Sequence, residues 1–485
     1  MSKINIREWK HFINGEWLDS KEGKTISNLS PTTGEEIGTI ARGDEEDVRI
    51  AVDSAEKGFN KWSKLDPHIR GQKLIQYANL LRERKEIIAE LETFDTGKPL
   101  KSSLRTVETA ARYFEYYAGY ADKILGEVIP TSGNKHAYTL REPYGIIANI
   151  MPWNSPITGV GKGVGAALAA GNSVVVKCSE FASLSTLYLA ELAFESGLPA
   201  GVFNVITGFG NEAGISLTQN TKINKITFTG SVATGTNVMI EAAKRITPVT
   251  LELGGKSPNI VFEDADLNMA AKGSVKAFVS NTGQICSAGT RLLVHKSVKK
   301  EFEELLVNEI KEITVDKGEY NPDIGPIVSK PQLDKVLSYI EIGKQEGAKL
   351  LYGGDKINKT NLKNGYFVEP TIFTDVYNYM RIAQDEIFGP ILSVITFDTE
   401  EEALEIANDT QYGLAAGIWT KNIDRVMRLV PKISAGNIYI NEYQGTNVEV
   451  PFGGYKNSGI GRDRGIESVL NHTQLKSVIT SYREF

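Results

Sequence analysis

The sequence predicts an α/β protein with two alternating strand–helix series, the first of them a doubly wound parallel sheet. Three observations carry that expectation. Short apolar runs alternate with helix-length stretches over residues 145–229, and a second such series runs from 259 to 440. The 485 residues are enough for about three domains with cores of their own. No Gly/Ser linker and no repeat of 20 to 50 residues separates the two series, so the domains are expected to interleave, with a boundary near residue 254.

Composition narrows the function classes. Apolar residues make up 41% and charged residues 24%, which argues against disorder, collagen-like repeats and a disulfide scaffold. With 54 Lys+Arg against 60 Asp+Glu the net charge is −6, so neither a nucleic-acid partner nor an anionic membrane is expected. The opening MSKINIREWKHFINGEWLDS shows no secretory pattern, and no run approaches 18 uninterrupted apolar residues. A cytoplasmic location is the expectation. The two cysteines, Cys178 and Cys286, are too few for a disulfide framework, and the five histidines show no ligand spacing with them. No metal site is expected.

The elements follow in order. Asn14-Gly15 between Phe12-Ile13 and Glu16-Trp17 signals a hairpin. Residues 45–62, 67–93 and 104–123 place apolar residues at three- and four-residue spacing, as amphipathic helices do. Gly145 to Met151, Ser173 to Lys177, Val202 to Ile206 and Lys225 to Thr229 read as parallel strands, with Asn259 to Phe262, Arg291 to His295, Ile391 to Phe397 and Ala435 to Ile440 forming the second series.

Four segments carry chemistry. Cys286, in Gly283-Gln284-Ile285-Cys286-Ser287-Ala288-Gly289, is flanked by small residues at a helix-to-strand junction, as an accessible nucleophile needs; a buried core thiol is the competing reading. At a pKa of about 8.5 such a thiol is roughly 3% ionised at pH 7, so catalysis requires a cation or a base nearby. Glu252 ends an apolar strand before Gly254-Gly255-Lys256, where burial would raise its pKa and make it a general base; a turn-capping carboxylate fits equally. Gly230-Ser231 through Gly235 opens a helix directly after a strand, which suits a pyrophosphate or a plain N-cap. Pro152-Trp153-Asn154-Ser155-Pro156 holds an amide rigidly at a strand end, as an oxyanion donor or an Asx turn.

In their order, Pro-Trp-Asn, Glu-Leu-Gly-Gly-Lys, Gly-Gln-x-Cys, Glu-x-Phe-Gly-Pro and Pro-Phe-Gly-Gly make the chain resemble the aldehyde dehydrogenase superfamily, in its NAD(P)-dependent branch that hydrolyses a thioester. The resemblance covers nearly the whole sequence. It implies a Rossmann-like NAD-binding domain over 1–123 and 144–254, a catalytic α/β domain over 255–471, and a small β oligomerisation arm over 124–143 and 472–485. A homodimer or homotetramer follows. Cys286 would attack the aldehyde, Asn154 and the Cys286 N–H would form the oxyanion hole, and Glu252 would activate water. Lys177 and Glu180 would hold the adenosine ribose and favour NAD over NADP; Gly230, Ser231 and Gly235 would receive the pyrophosphate; Glu386 and Phe388 would contact the nicotinamide ribose.

Three departures from the family pattern bear on function. Cys178 stands where proline is common, and Asp463 where glutamate is frequent. Lys162 comes one residue before the usual lysine, a rotation of 100° on a helix. Ser155, Thr158, Lys162 and Thr446 would line a polar tunnel for a small polar or anionic aldehyde. Two rival outcomes on the same fold are transfer of the acyl group to coenzyme A, against which a hydrolytic base at Glu252 argues, and a non-catalytic binding or structural role.

Overall fold

The computed structural model describes residues 8–443, 445 and 447–483. Thr446, expected in the tunnel, lies outside them. The helix Glu45–Trp62 starts at Asp44, whose carboxylate accepts from the Glu46 and Asp47 amides while Asp47 reaches back to the Asp44 amide. Its Val48, Ala51, Val52 and Ala55 recur at helical spacing and are wholly buried or nearly so. The strand Ser173–Lys177 is buried on both faces, and each of its three valines contributes on the order of 1.5–3 kcal/mol by leaving water.

Five strands of the first sheet run parallel in the spatial order Phe203–Ile206, Ser173–Lys177, Ile146–Ile150, Lys225–Thr229, Val249–Glu252. Taken in chain order this is 3-2-1-4-5, the doubly wound arrangement, and the winding reverses between Ile146–Ile150 and Lys225–Thr229. The carboxyl ends of these two strands, where ligands bind in such sheets, lead into Pro152-Trp153-Asn154 and Gly230-Ser231. The hairpin strands His11–Ile13 and Glu16–Leu18 close one edge. Gly459–Ile460 returns from the far end of the chain to pair antiparallel with Leu251 and Glu252 at the other. Only glycine fits at 459, where φ is 143° and a Cβ would lie 2.0 Å from the Leu251 carbonyl oxygen.

The second sheet carries six parallel strands, Thr371–Thr374, Ile391–Phe397, Arg291–His295, Pro258–Val261, Ala415–Trp419 and Asn437–Ile440, with Lys349–Tyr352 antiparallel at one edge. A third sheet joins Val128–Ile129, Lys135–Pro143 and Thr473–Ser481. No described helix is long and apolar enough to cross a membrane.

Several elements differ from expectation. The helix expected over 67–93 is two, Pro67–Glu83 and Lys85–Thr96, broken at Arg84, because each half buries its own apolar face. The strands at 349–352, 371–374 and 415–419 give no period-2 signal: the latter two are buried throughout, and Ala415-Ala416-Gly417 has little strand preference.

Candidate active site

The loop before Cys286 is built under strain. Asn281, Thr282 and Gly283 all hold positive φ, at 50°, 58° and 72°, a conformation that persists only when its surroundings impose it. Thr282 donates to the Gly325 carbonyl at 3.0 Å, and the Gln284 side chain donates to the Asn281 carbonyl and accepts from the Val328 amide, each at 3.0 Å. A Cβ on Gly283 would stand 2.2 Å from the Gly389 carbonyl carbon, so the loop packs directly on the Glu386–Pro390 turn. Cys286 emerges half-buried on the wall of a cavity of about 560 Å³. Burial pushes its thiol up to about 11; Lys162 opposes this, Glu386 and Glu252 add to it, and Arg464 opposes it. The thiol is protonated at rest and needs a base.

The amide and the carboxylate face the same cavity. Asn154 Nδ2 donates to the Gln284 carbonyl at 2.9 Å, and Asn281 Nδ2 donates to the Asn154 carbonyl at 3.1 Å. The backbone leading into Cys286 therefore also orients the amide, whose second N–H is left for a ligand. Glu252 is buried, and neither of its carboxyl oxygens has a hydrogen-bond partner among the described residues. Burial raises its pKa well above the ordinary carboxyl value, and the Asp463 carboxylate raises it further.

Ser155 and Thr158, expected in the tunnel, line this cavity. Lys162 lines it too, but its ammonium sits 2.6 Å from Asp463 Oδ2. The 100° rotation expected of a one-residue offset presumes a regular helix. A wide π-turn over Val160–Val164 replaces it here and brings Lys162 onto Asp463. Burial lowers the affinity of Lys162 for its proton, but Asp463 and then Glu252 outweigh that and the net shift is upward. Lys162 is thus a partnered cation.

The residues expected at the cofactor fall in two groups. Gly230, Ser231, Glu386 and Phe388 line the same cavity as Cys286. Ser231 caps the helix Val232–Ala243 by accepting from the Thr234 amide at 3.2 Å, and Gly235 lets that helix pack on Leu253, where a Cβ would come within 2.5 Å. Glu386 accepts from the Gly255 amide at 3.3 Å, burial lifts its pKa to about 7, and Phe388 meets Trp153 edge-on at 5.2 Å. Lys177 and Glu180 stand outside that cavity and 3.5 Å from each other, one strand along the same carboxyl edge. Cys178 is buried against Ser183 and the Ile206 carbonyl, with its thiol pushed up to about 11 by burial. His295 is held by Ser297 and the Asp398 carbonyl.

Residues 17–478 match the aldehyde dehydrogenase family over nearly the whole chain. The chain belongs to that family. Aldehyde dehydrogenase family 2 member B4, mitochondrial, from Arabidopsis thaliana is 42% identical over 99% of this chain and 89% of its own length. Aldehyde dehydrogenase 1 from Tanacetum cinerariifolium is 44% identical over 98% and 96%. A solved indole-3-acetaldehyde dehydrogenase in complex with NAD+ is 41% identical, covers 98% of this chain and 97% of its own, and superposes with a TM-score of 0.96.

This aldehyde dehydrogenase chain also brings residues to its cavity that sequence reasoning missed. Gln284 and Asn281 hold Asn154 in place, and Tyr113 and Arg464 stand on the cavity wall. Gln332 clamps the glutamate–phenylalanine turn by donating to the Ile387 and Phe388 carbonyls, each at 3.0 Å. Of these only Gln284, inside the Gly-Gln-x-Cys motif, carries a local signal.

Proposed function

We propose that the protein oxidises an aldehyde to a carboxylic acid with NAD through a covalent intermediate on Cys286. The observation that carries this reading is one cavity shared by an accessible thiol, a rigidly held amide and a buried, unpartnered carboxyl. Attack of the Cys286 sulfur forms a C–S bond while the carbonyl π pair moves to oxygen. The free N–H of Asn154 and the backbone N–H of Cys286 stabilise that oxygen most strongly once it is tetrahedral. The thiol proton is lost to solvent water as the sulfur adds, and Glu252 takes a proton from the water that attacks the thioester while the C–S pair returns to sulfur.

The fit to a dinucleotide rests on the reversed strand order, the capped helix at Ser231 and the close helix packing on Leu253 that Gly235 allows. Bound there, NAD supplies the hydride acceptor that turns the tetrahedral adduct into a thioester. Ser231 and the helix amides bind pyrophosphate, Lys177 and Glu180 the adenosine ribose, and Glu386 and Phe388 the nicotinamide ribose. A carboxylate at Glu180 accepts from a ribose 2′-hydroxyl and repels a 2′-phosphate, so NAD is preferred over NADP. Ser155 and Thr158 make the substrate end polar, which favours a small polar aldehyde. A reducing, cytoplasmic setting suits the free thiol, and the sheet of Val128–Ile129, Lys135–Pro143 and Thr473–Ser481 serves as the arm that pairs subunits.

The test is a product assay. The expected result is carboxylic acid and NADH in equal amounts from an aldehyde, NAD and water, whether or not coenzyme A is added, with kcat/KM at least tenfold lower for NADP. Acyl-coenzyme A as the only product would reassign the deacylating step.

A further inference from the structure

The cavity holds a cation that the reaction above does not use. Arg464 lines it, and the reciprocal 2.7 Å backbone bonds between Phe452 and Asp463 fix its place. Its guanidinium lies 4.3 Å above the Phe452 ring. No carboxylate among the described residues pairs with it, and its buried Nε has no hydrogen-bond partner. Tyr113, Tyr439, Asp463, Cys286, Glu252 and Lys162 all act on it electrostatically. Asp463 among them is paired with Lys162 at 2.6 Å. Lys162 and Asp463 are thus committed to each other, and Arg464 stands in the same cavity with no carboxylate partner of its own among the described residues.

The backbone at this position is costly to keep. Arg464 has φ 62° and ψ 175°, a region that only glycine enters without strain. An arginine held there against its own backbone preference, over a ring and with its fork uncommitted, is arranged to meet a planar anion. The helix Leu100–Ala118 turns Ser102, Arg105, Thr106 and Thr109 toward the same cavity, so this stretch of the wall is polar and carries a further arginine.

We propose that Arg464 receives a carboxylate borne by the substrate a few carbons from its aldehyde, making short semialdehydes the substrate class. This rests on the oxidation reading above and deepens it. Arg464 sets specificity, and Lys162 does not. A guanidinium that steadies the substrate carboxylate binds ground and transition states alike, so its loss appears in KM more than in kcat.

The experiment compares kcat/KM for 4-oxobutanoate and butanal in wild type, Arg464→Gln, Arg464→Lys and Arg464→Gly. The glycine variant suits the backbone and guards against misfolding. The wild-type ratio should favour 4-oxobutanoate. It should fall about 10- to 100-fold in the glutamine and glycine variants, chiefly through KM, and recover in part with lysine. An unchanged ratio, with both aldehydes losing equally and the pH dependence of Cys286 alkylation displaced upward, would show that Arg464 serves the thiolate instead and overturn the proposal. A wild type that prefers butanal would also overturn it while leaving the oxidation reading intact. NADH from neither aldehyde would overturn both.

Discussion

Glu252 and Cys286 are both charged only against the resistance of their surroundings, and that shapes how activity depends on pH. Because the folded pKa of Glu252 is raised, its basic form appears only at a pH well above the ordinary carboxyl range. Deacylation should therefore rise with pH through that range, and in Glu252→Gln the rise should vanish while an initial burst of NADH remains. The same shift acts on stability. A carboxyl whose folded pKa lies above its unfolded value favours the folded state below the unfolded pKa and loses that contribution as pH rises through the folded one. Glu252→Gln should accordingly gain in Tm relative to wild type as pH increases, in thermal melts without substrate. Asn154→Ala should lower kcat by on the order of 10² to 10³, about 2.7 to 4 kcal/mol, if its free N–H meets the oxyanion; a loss below tenfold in steady-state kinetics would contradict that role. Cys286, Glu252 and Asn154, which the fold brings to one cavity, could be singled out in the sequence because each sits in a short motif with local cause: small neighbours, a strand end, a rigid turn. The partnership of Lys162 with Asp463 was not, because 301 positions separate them and a π-turn sets the angle.

The elements that position the site are the strained turn Asn281 to Gly283 and the returning strand Gly459–Ile460. Gly283→Ala meets both a φ of 72° and the Gly389 carbonyl carbon at 2.2 Å. It should destabilise the fold by more than about 1 kcal/mol in urea titrations and depress turnover, since the amide of Asn154 hangs from the same loop. Gly459→Ala should behave similarly, by pushing the strand off Glu252. Helices were read well from periodicity, except where Pro67–Glu83 and Lys85–Thr96 continue one apolar rhythm across a break. Strands buried on both faces were read where β-branched residues run together, as at Ser173–Lys177, and missed at Ala415–Trp419.

Across the whole molecule, two parallel sheets face one cavity, and the chain crosses from the first to the second after Glu252 and comes back at Gly459. The alternation of short apolar runs with helices was enough to see two series; the return strand, only two residues long, left no trace in the sequence. The third sheet leaves Leu475, Ile479 and Val128 exposed at 58%, 67% and 73%, an apolar display that suits pairing with a second copy. Ile479→Asp should shift the protein to a smaller species in light scattering after size exclusion, and an unchanged mass would remove the arm from subunit pairing. The most direct test of the whole account is mass spectrometry of the Cys286 peptide from enzyme quenched in acid during turnover with NAD and 4-oxobutanoate. The account predicts that peptide heavier by the acyl group, and more so in Glu252→Gln; continuous NADH production with an unmodified Cys286 peptide would contradict it.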